Sequence, residues 1–167
     1  MPAVARRTAC ASRVRSHSVR IARALPKDFW PDFWSDFLPP PRSAVRFGVP
    51  GSVMAAGEGI ETTLSLLCAL PGMSMAAALS AAHLSAILFP PTLRRLYVIR
   101  DNDQAGDGVR DTLIERAREA GIDTIVLSPR MGDFNDDLCH LGLDMFRTQL
   151  ADQLMRRDRI RYLARAA

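Results

Sequence analysis

Short apolar runs alternate with stretches of helical patterning through the middle of this chain. The runs cover residues 53–56, 75–79, 96–100 and 124–127. Each has the length of a strand rather than of a buried helix. Helical patterning fills residues 60–70, 82–88 and 106–120, and Gly121 stands where a helix would close on a left-handed residue. This alternation predicts an α/β fold: an open, mainly parallel, Rossmann-like sheet of four strands flanked by helices. Right-handed crossovers then bring every strand's carboxyl end to one rim, where open α/β sheets bind ligands.

Residues 51–150 read as this domain. Before it, residues 1–50 form an irregular, basic segment rich in proline and aromatics, with Ala44-Val45-Arg46-Phe47-Gly48 as a short edge strand leading in. After it, residues 151–167 form a helical tail. A single long amphipathic helix is expected from Asp144 to about Ala164, apolar at Leu143, Phe146, Leu150 and Leu154.

The rim is where the chemistry-bearing residues fall. The run at 96–100 is followed by Asp101-Asn102-Asp103-Gln104-Ala105-Gly106. Residues two apart on an extended chain point the same way, so Asp101 and Asp103 can share a face. Two carboxylates that close repel unless a cation lies between them. Oxygen-only ligands suit Mg²⁺, which binds through one or two carboxylates, waters and phosphates. The competing reading makes Asp103 only a helix cap. The run at 53–56 ends in Gly57-Glu58-Gly59, again just ahead of a helix, so Glu58 reaches the same rim. Glu61 lies inside the first helical turn, where the dipole alone accounts for an acid. The run at 124–127 leads to Gly132-Asp133-Phe134-Asn135-Asp136-Asp137. Asp133 is expected at the rim, with Asn135 and Asp136 as further candidates. Asp136 or Asp137 could instead cap and charge the next helix, and Asp137 reads as a solvated helix residue.

Other chemistries are excluded or disfavoured. No Gly-rich loop ends in Gly-Lys-Ser/Thr, which rules out a P-loop enzyme. Gly57-Glu58-Gly59 puts a carboxylate where a dinucleotide's pyrophosphate needs bare amides. Cys10, Cys68 and Cys139 lie far apart, against a zinc site or a disulfide framework, and the expected compartment is a reducing cytoplasm. His83 sits among alanines and leucines and reads as a core residue. The apolar stretch from Met73 to Pro91 is interrupted by Ser80, His83 and Ser85, so no membrane span is expected. The net charge of +4 is uneven: arginines crowd both ends, and Lys27 is the only lysine. Such ends can hold phosphate backbones by charge.

The turns Gly57-Glu58-Gly59 and Asp101-Asn102-Asp103-Gln104-Ala105-Gly106 resemble the Toprim domain shared by bacterial primases, type IA and type II topoisomerases and several nucleases. Glu58-Gly59-Ile60-Glu61-Thr62 and Gly132-Asp133-Phe134-Asn135-Asp136-Asp137 most resemble the primase-like branch, as found in primase/helicase-like proteins of phages, plasmids and integrated elements. The resemblance spans about residues 51–150. It implies Glu58 as general acid/base, Asp101 and Asp103 as ligands of Mg²⁺ or Mn²⁺, and Asp133 and Asp136 as an extension of the acidic cluster. It implies nucleotidyl or phosphoryl transfer on DNA, with a single-stranded template or RNA/DNA primer as partner. A helicase or zinc-ribbon partner would complete such an assembly, since the chain carries no zinc spacing. A Toprim nuclease and an inactive nucleic-acid-binding fragment are the alternatives. Strand-passage chemistry is not expected, because Tyr97 falls in a buried run and Tyr162 in the tail.

Overall fold

The sheet is built on central strands that are almost wholly apolar. The computed structural model describes residues 44–102 and 107–163. Asp103, Cys10 and the Arg- and Trp-bearing segment before residue 44 lie outside the described residues. In chain order the elements are β1 (Val45–Phe47), β2 (Val53–Gly57), α1 (Ile60–Ala69), β3 (Ser74–Ala77), α2 (Ala81–Ser85), β4 (Arg95–Ile99), α3 (Asp107–Glu119), β5 (Asp123–Leu127), α4 (Phe134–Ala151) and α5 (Arg156–Leu163). The strand order is β1-β3-β2-β4-β5. Strands β2 to β5 run parallel as expected, and the short leading strand β1 adds a fifth, antiparallel edge on β3.

Strand periodicity sorts the core into two faces. Val53, Ala55, Tyr97 and Ile99 point to one side, where they pack with Leu66, Leu70, Phe134, Phe146 and Leu150. Met54, Ala56, Leu96 and Val98 point to the other, against Leu84, Leu113 and Ala117. Helices α1, α4 and α5 therefore cover one face, and α2 and α3 the other. The central strands are buried on both faces, so β2 and β4 read as unbroken apolar runs. Each large side chain buried this way stabilises the fold by about 1.5–3 kcal/mol.

The expected single helix from Asp144 to Ala164 is two elements. Helix α4 starts ten residues earlier, at Phe134, and is kinked at Gly142, whose φ of 72° and ψ of 168° are not helical. The chain then turns after Ala151, and α5 begins at Arg156. The reason is tertiary. The buried Asp158 in α5 accepts from Arg95 Nη1 at 2.9 Å and from Tyr97 Oη at 2.7 Å, both on β4. These bonds anchor α5 on β4 as an element separate from α4. Tyr162, expected in a tail, is likewise buried, within ordinary contact distance of a Cβ placed on Gly72. Helix α2 stops at Ser85, short of the expected residue 88. The Arg116 guanidinium takes the carbonyls of Ser85 and Ile87 as acceptors and lies 5.2 Å over the Phe89 ring. Gly121 has a φ of +69°, the left-handed end foreseen for α3. Among the described residues no helix is long and apolar enough to cross a membrane.

Candidate functional site

The sheet's connectivity locates the site. From β2 the chain moves to β3 on one side, then crosses back to β4 on the other side of β2. The connections thus diverge between β2 and β4, and the crevice at the carboxyl ends of such a pair is where open α/β sheets take ligands. The two strands are in register, with Met54 opposite Leu96 and Ala56 opposite Val98. The segments that leave them, Glu58 and Gly59 from β2 and Arg100 and Asp101 from β4, therefore emerge as neighbours.

Glycine at 57 is a packing requirement. A Cβ there would lie 2.8 Å from Ile99 Cβ, closer than side chains approach. The bare backbone lets β2 and β4 close up just before both turn outward. Gly57 and Glu58 then give their carbonyls to the amides of Ala78 and Leu79, at 2.8 and 2.9 Å, which fixes the Glu58 backbone against the end of β3. The Glu58 side chain is left half-buried. Gly59 is the N-cap of α1 and offers no side-chain acceptor, so the positive end of that helix dipole faces the rim uncapped and favours negative charge there.

Asp101 is half-buried at the exit of β4. Thr62, in the first turn of α1, donates from Oγ1 to Asp101 Oδ1 at 3.4 Å. The Glu58 turn and the Asp101 turn are thus joined across the crevice. Asn102 ties the Asp101 turn to a third segment: its amide donates to the Gly132 carbonyl at 2.8 Å and its Nδ2 to the Met131 carbonyl at 3.2 Å.

That third segment carries the remaining acids. Asp133 is the N-cap of α4, its Oδ1 accepting from the Asp136 amide at 2.7 Å. Asp136 is half-buried and folds back over the turn, so that a Cβ on Gly132 would lie 2.9 Å from its Oδ2. Asn135 is half-buried, with its Oδ1 3.9 Å from Cys139 Sγ. Glu61 is exposed on the first turn of α1. His83 lies in α2 and is half-buried rather than in the core.

Asp137 corrects the sequence reading. It is fully buried rather than solvated. Its two oxygens accept from the amides of Arg130 and Met131, at 2.8 and 2.9 Å, and from Gln149 Nε2 at 2.6 Å. The signal was present: Phe134, Asp137 and Leu138 fall on one helical stripe, and the two apolar members mark it as the inner face. Thr62 carried no comparable signal, because its partner lies 39 residues away.

Residues 53–144 match the family model of the Toprim domain, more than half of the chain. The chain belongs to the Toprim family. No curated protein matches it. Among solved structures this Toprim chain is similar to the zinc-binding and RNA polymerase domains of the Aquifex aeolicus primase, with 17% identity and a TM-score of 0.48 over 62% of this chain and 26% of that one. It is similar to a DNA primase domain from Pseudomonas aeruginosa, with 20% identity and a TM-score of 0.46 over 61% and 33%. The primase fragment of the bacteriophage T7 primase-helicase protein gives 17% identity and a TM-score of 0.46 over 64% and 45%. The Toprim chain thus spans from about a quarter to less than half of those three structures.

Toprim domains generally bind divalent metal ions. Among the described residues no three His, Cys, Asp or Glu side chains gather into a metal-binding group. The donor chemistry nevertheless fits: Asp101 places carboxylate oxygens at the rim, with the Glu58 carboxylate on the adjacent turn, and Mg²⁺ commonly uses one or two carboxylates and completes its octahedron with water and phosphate.

Proposed function

We propose that this Toprim domain performs divalent-metal-dependent nucleotidyl transfer on nucleic acid, as the metal-bearing part of a primase-like protein of a mobile element. One relationship carries the reading: in a Toprim chain, the Glu58 turn and the Asp101 turn leave adjacent strands at the divergence point of the sheet and are bridged by Thr62. The primase branch is supported by Glu58-Gly59-Ile60-Glu61-Thr62 and Gly132-Asp133-Phe134-Asn135-Asp136-Asp137, the two motifs that resemble it most.

In this reading Asp101 and Asp103 hold Mg²⁺ or Mn²⁺. The ion, when bound, offsets the negative charge that builds on the transferred phosphoryl group. Glu58 accepts the proton of the attacking 3′-hydroxyl as the oxygen bonds to the α-phosphorus of a nucleoside triphosphate and pyrophosphate leaves. The uncapped start of α1 favours the phosphate oxygens at the same rim. Asp133 and Asp136 extend the acidic edge, with Glu61 and Asn135 at its margin. The partners are DNA, as a single-stranded template or an RNA/DNA primer, and a helicase or zinc-ribbon protein, in the cytoplasm.

The test is primer synthesis from nucleoside triphosphates on single-stranded DNA with Mg²⁺ or Mn²⁺. Synthesis that disappears in Asp101→Ala supports the proposal. Metal-dependent degradation of DNA without triphosphates would replace it with a nuclease. DNA binding that survives Glu58→Gln, with no turnover under either metal, would leave only a binding role.

A further inference from the structure

A buried carboxylate that accepts three donors sits one layer behind the rim. Asp137 takes the amides of Arg130 and Met131 and the Gln149 side chain. Two consecutive amides converging on one side chain fix the path of the 129–132 loop. Pro129, buried at the start of that loop, restricts it further. The carbonyls that follow, those of Met131 and Gly132, are the acceptors of Asn102. Asn102 in turn is the residue between Asp101 and Asp103 in sequence. The chain of contacts runs from Gln149 in α4, through Asp137 and two loop carbonyls, to Asn102, the neighbour of Asp101.

We infer that Asn102 and Asp137 are positioning residues that hold the chain beside Asp101 and thereby set the affinity of that carboxylate for a divalent cation. This rests on the metal reading given above. The physical argument is one of pre-organisation. Carboxylates bind a small, hard cation well only when held at fixed separation, and outer groups that fix first ligands typically govern metal affinity by about 10–100-fold. Asn102 supplies the fixing from a neutral side chain, so it adds no charge to compete with Asp101. Asp137 bonds the amides of Arg130 and Met131 and the Gln149 side chain. It acts only through the loop, and its burial keeps the carboxylate on the loop amides rather than on solvent.

Two substitutions test this, Asp137→Asn and Asn102→Ala, with Mn²⁺ affinity read by electron paramagnetic resonance on the full chain. Asp137→Asn preserves shape but presents an amide NH₂ to a site lined by donors. Asn102→Ala removes an exposed side chain and leaves the fold intact should the buried change not be tolerated. The expected result is about a tenfold or greater loss of Mn²⁺ affinity in each folded variant, with faster hydrogen exchange at the Asn102 amide in Asp137→Asn. A purely structural role would lower the melting temperature and leave the affinity of the folded protein unmoved. Unchanged affinity in both folded variants, with normal uptake by the unsubstituted protein, overturns this inference alone. No Mn²⁺ uptake by the unsubstituted protein overturns the metal reading and this inference with it.

Discussion

Tyr97 donates a 2.7 Å hydrogen bond to Asp158 Oδ2 and accepts one of 3.0 Å from the Met155 amide. The phenol is thus held between the middle of β4 and the start of α5. Burial first, and the Asp158 carboxylate second, push its pKa well above the usual 10.

Tyr97→Phe removes the donor and leaves the Met155 amide without its acceptor. A buried group stripped of its partner costs about 1–3 kcal/mol, so urea unfolding should show a loss of that size, with the midpoint shifted and the slope unchanged. The pH dependence has a definite sign. Below pH 10 the phenol is protonated both folded and unfolded and stability is at its full value. Above pH 10 the unfolded chain releases the proton while the folded chain retains it, so stability falls as pH rises. Tyr97→Phe should flatten part of that alkaline decline, which unfolding at pH 9, 10 and 11 will reveal.

Gly57→Ala should destabilise the chain by about 1–3 kcal/mol, the range for overpacking a well-filled core. The added methyl meets Ile99 Cβ at 2.8 Å, an atom that no rotamer change can move aside. Thermal unfolding followed by circular dichroism measures the loss. Gly59→Ala is the comparison, because its nearest neighbour is Thr62 Oγ1 at 3.3 Å, and the effect there should be smaller.

Metal uptake and turnover should separate between the two turns. Asp101→Asn is expected to abolish Mn²⁺ binding by titration calorimetry. Glu58→Gln is expected to retain it while lowering primer synthesis by about 10²–10⁴-fold, the usual contribution of a general acid/base. Thr62→Val, isosteric but without the donor to Asp101, should weaken Mn²⁺ binding and leave the fold intact.

Asp133 can be divided into cap and rim functions by two substitutions. Asp133→Ala removes the acceptor for the Asp136 amide and should cost about 0.5–2 kcal/mol. Asp133→Asn keeps a capping oxygen and should restore most of that stability. Activity that returns with Asp133→Asn would make the residue a cap alone. Activity that stays low in a fully stable Asp133→Asn protein would give its charge a part in the chemistry.

The central strands were legible because burial on both faces leaves them almost wholly apolar, and the turns that follow stood out because acids come directly after such runs. Helix α4 was harder to read. The expected helix began at Asp144, beyond Gly142, whereas helix runs on both sides of that kinked glycine, and the shared spacing of Phe146, Leu150 and Leu154 hid the break after Ala151. Asp158 was invisible as a core residue, since its burial depends on Arg95 and Tyr97, more than sixty residues earlier. The true surroundings of Asp137 were hidden for a related reason. An acid in the first turn of a helix has an ordinary electrostatic explanation, and only the loop amides that come to meet it reveal a different one.

The family match ends at residue 144, but Phe146, Leu150, Leu154 and Tyr162 all lie in the cluster that backs Tyr97 and Ile99. A protein trimmed to the matched stretch would keep every acid of the rim and lose the wall behind β4. It should express as a sticky, partly molten species whose failure to bind ions says nothing about the intact polypeptide. Laboratories choosing where to cut should leave everything through Leu163 in place.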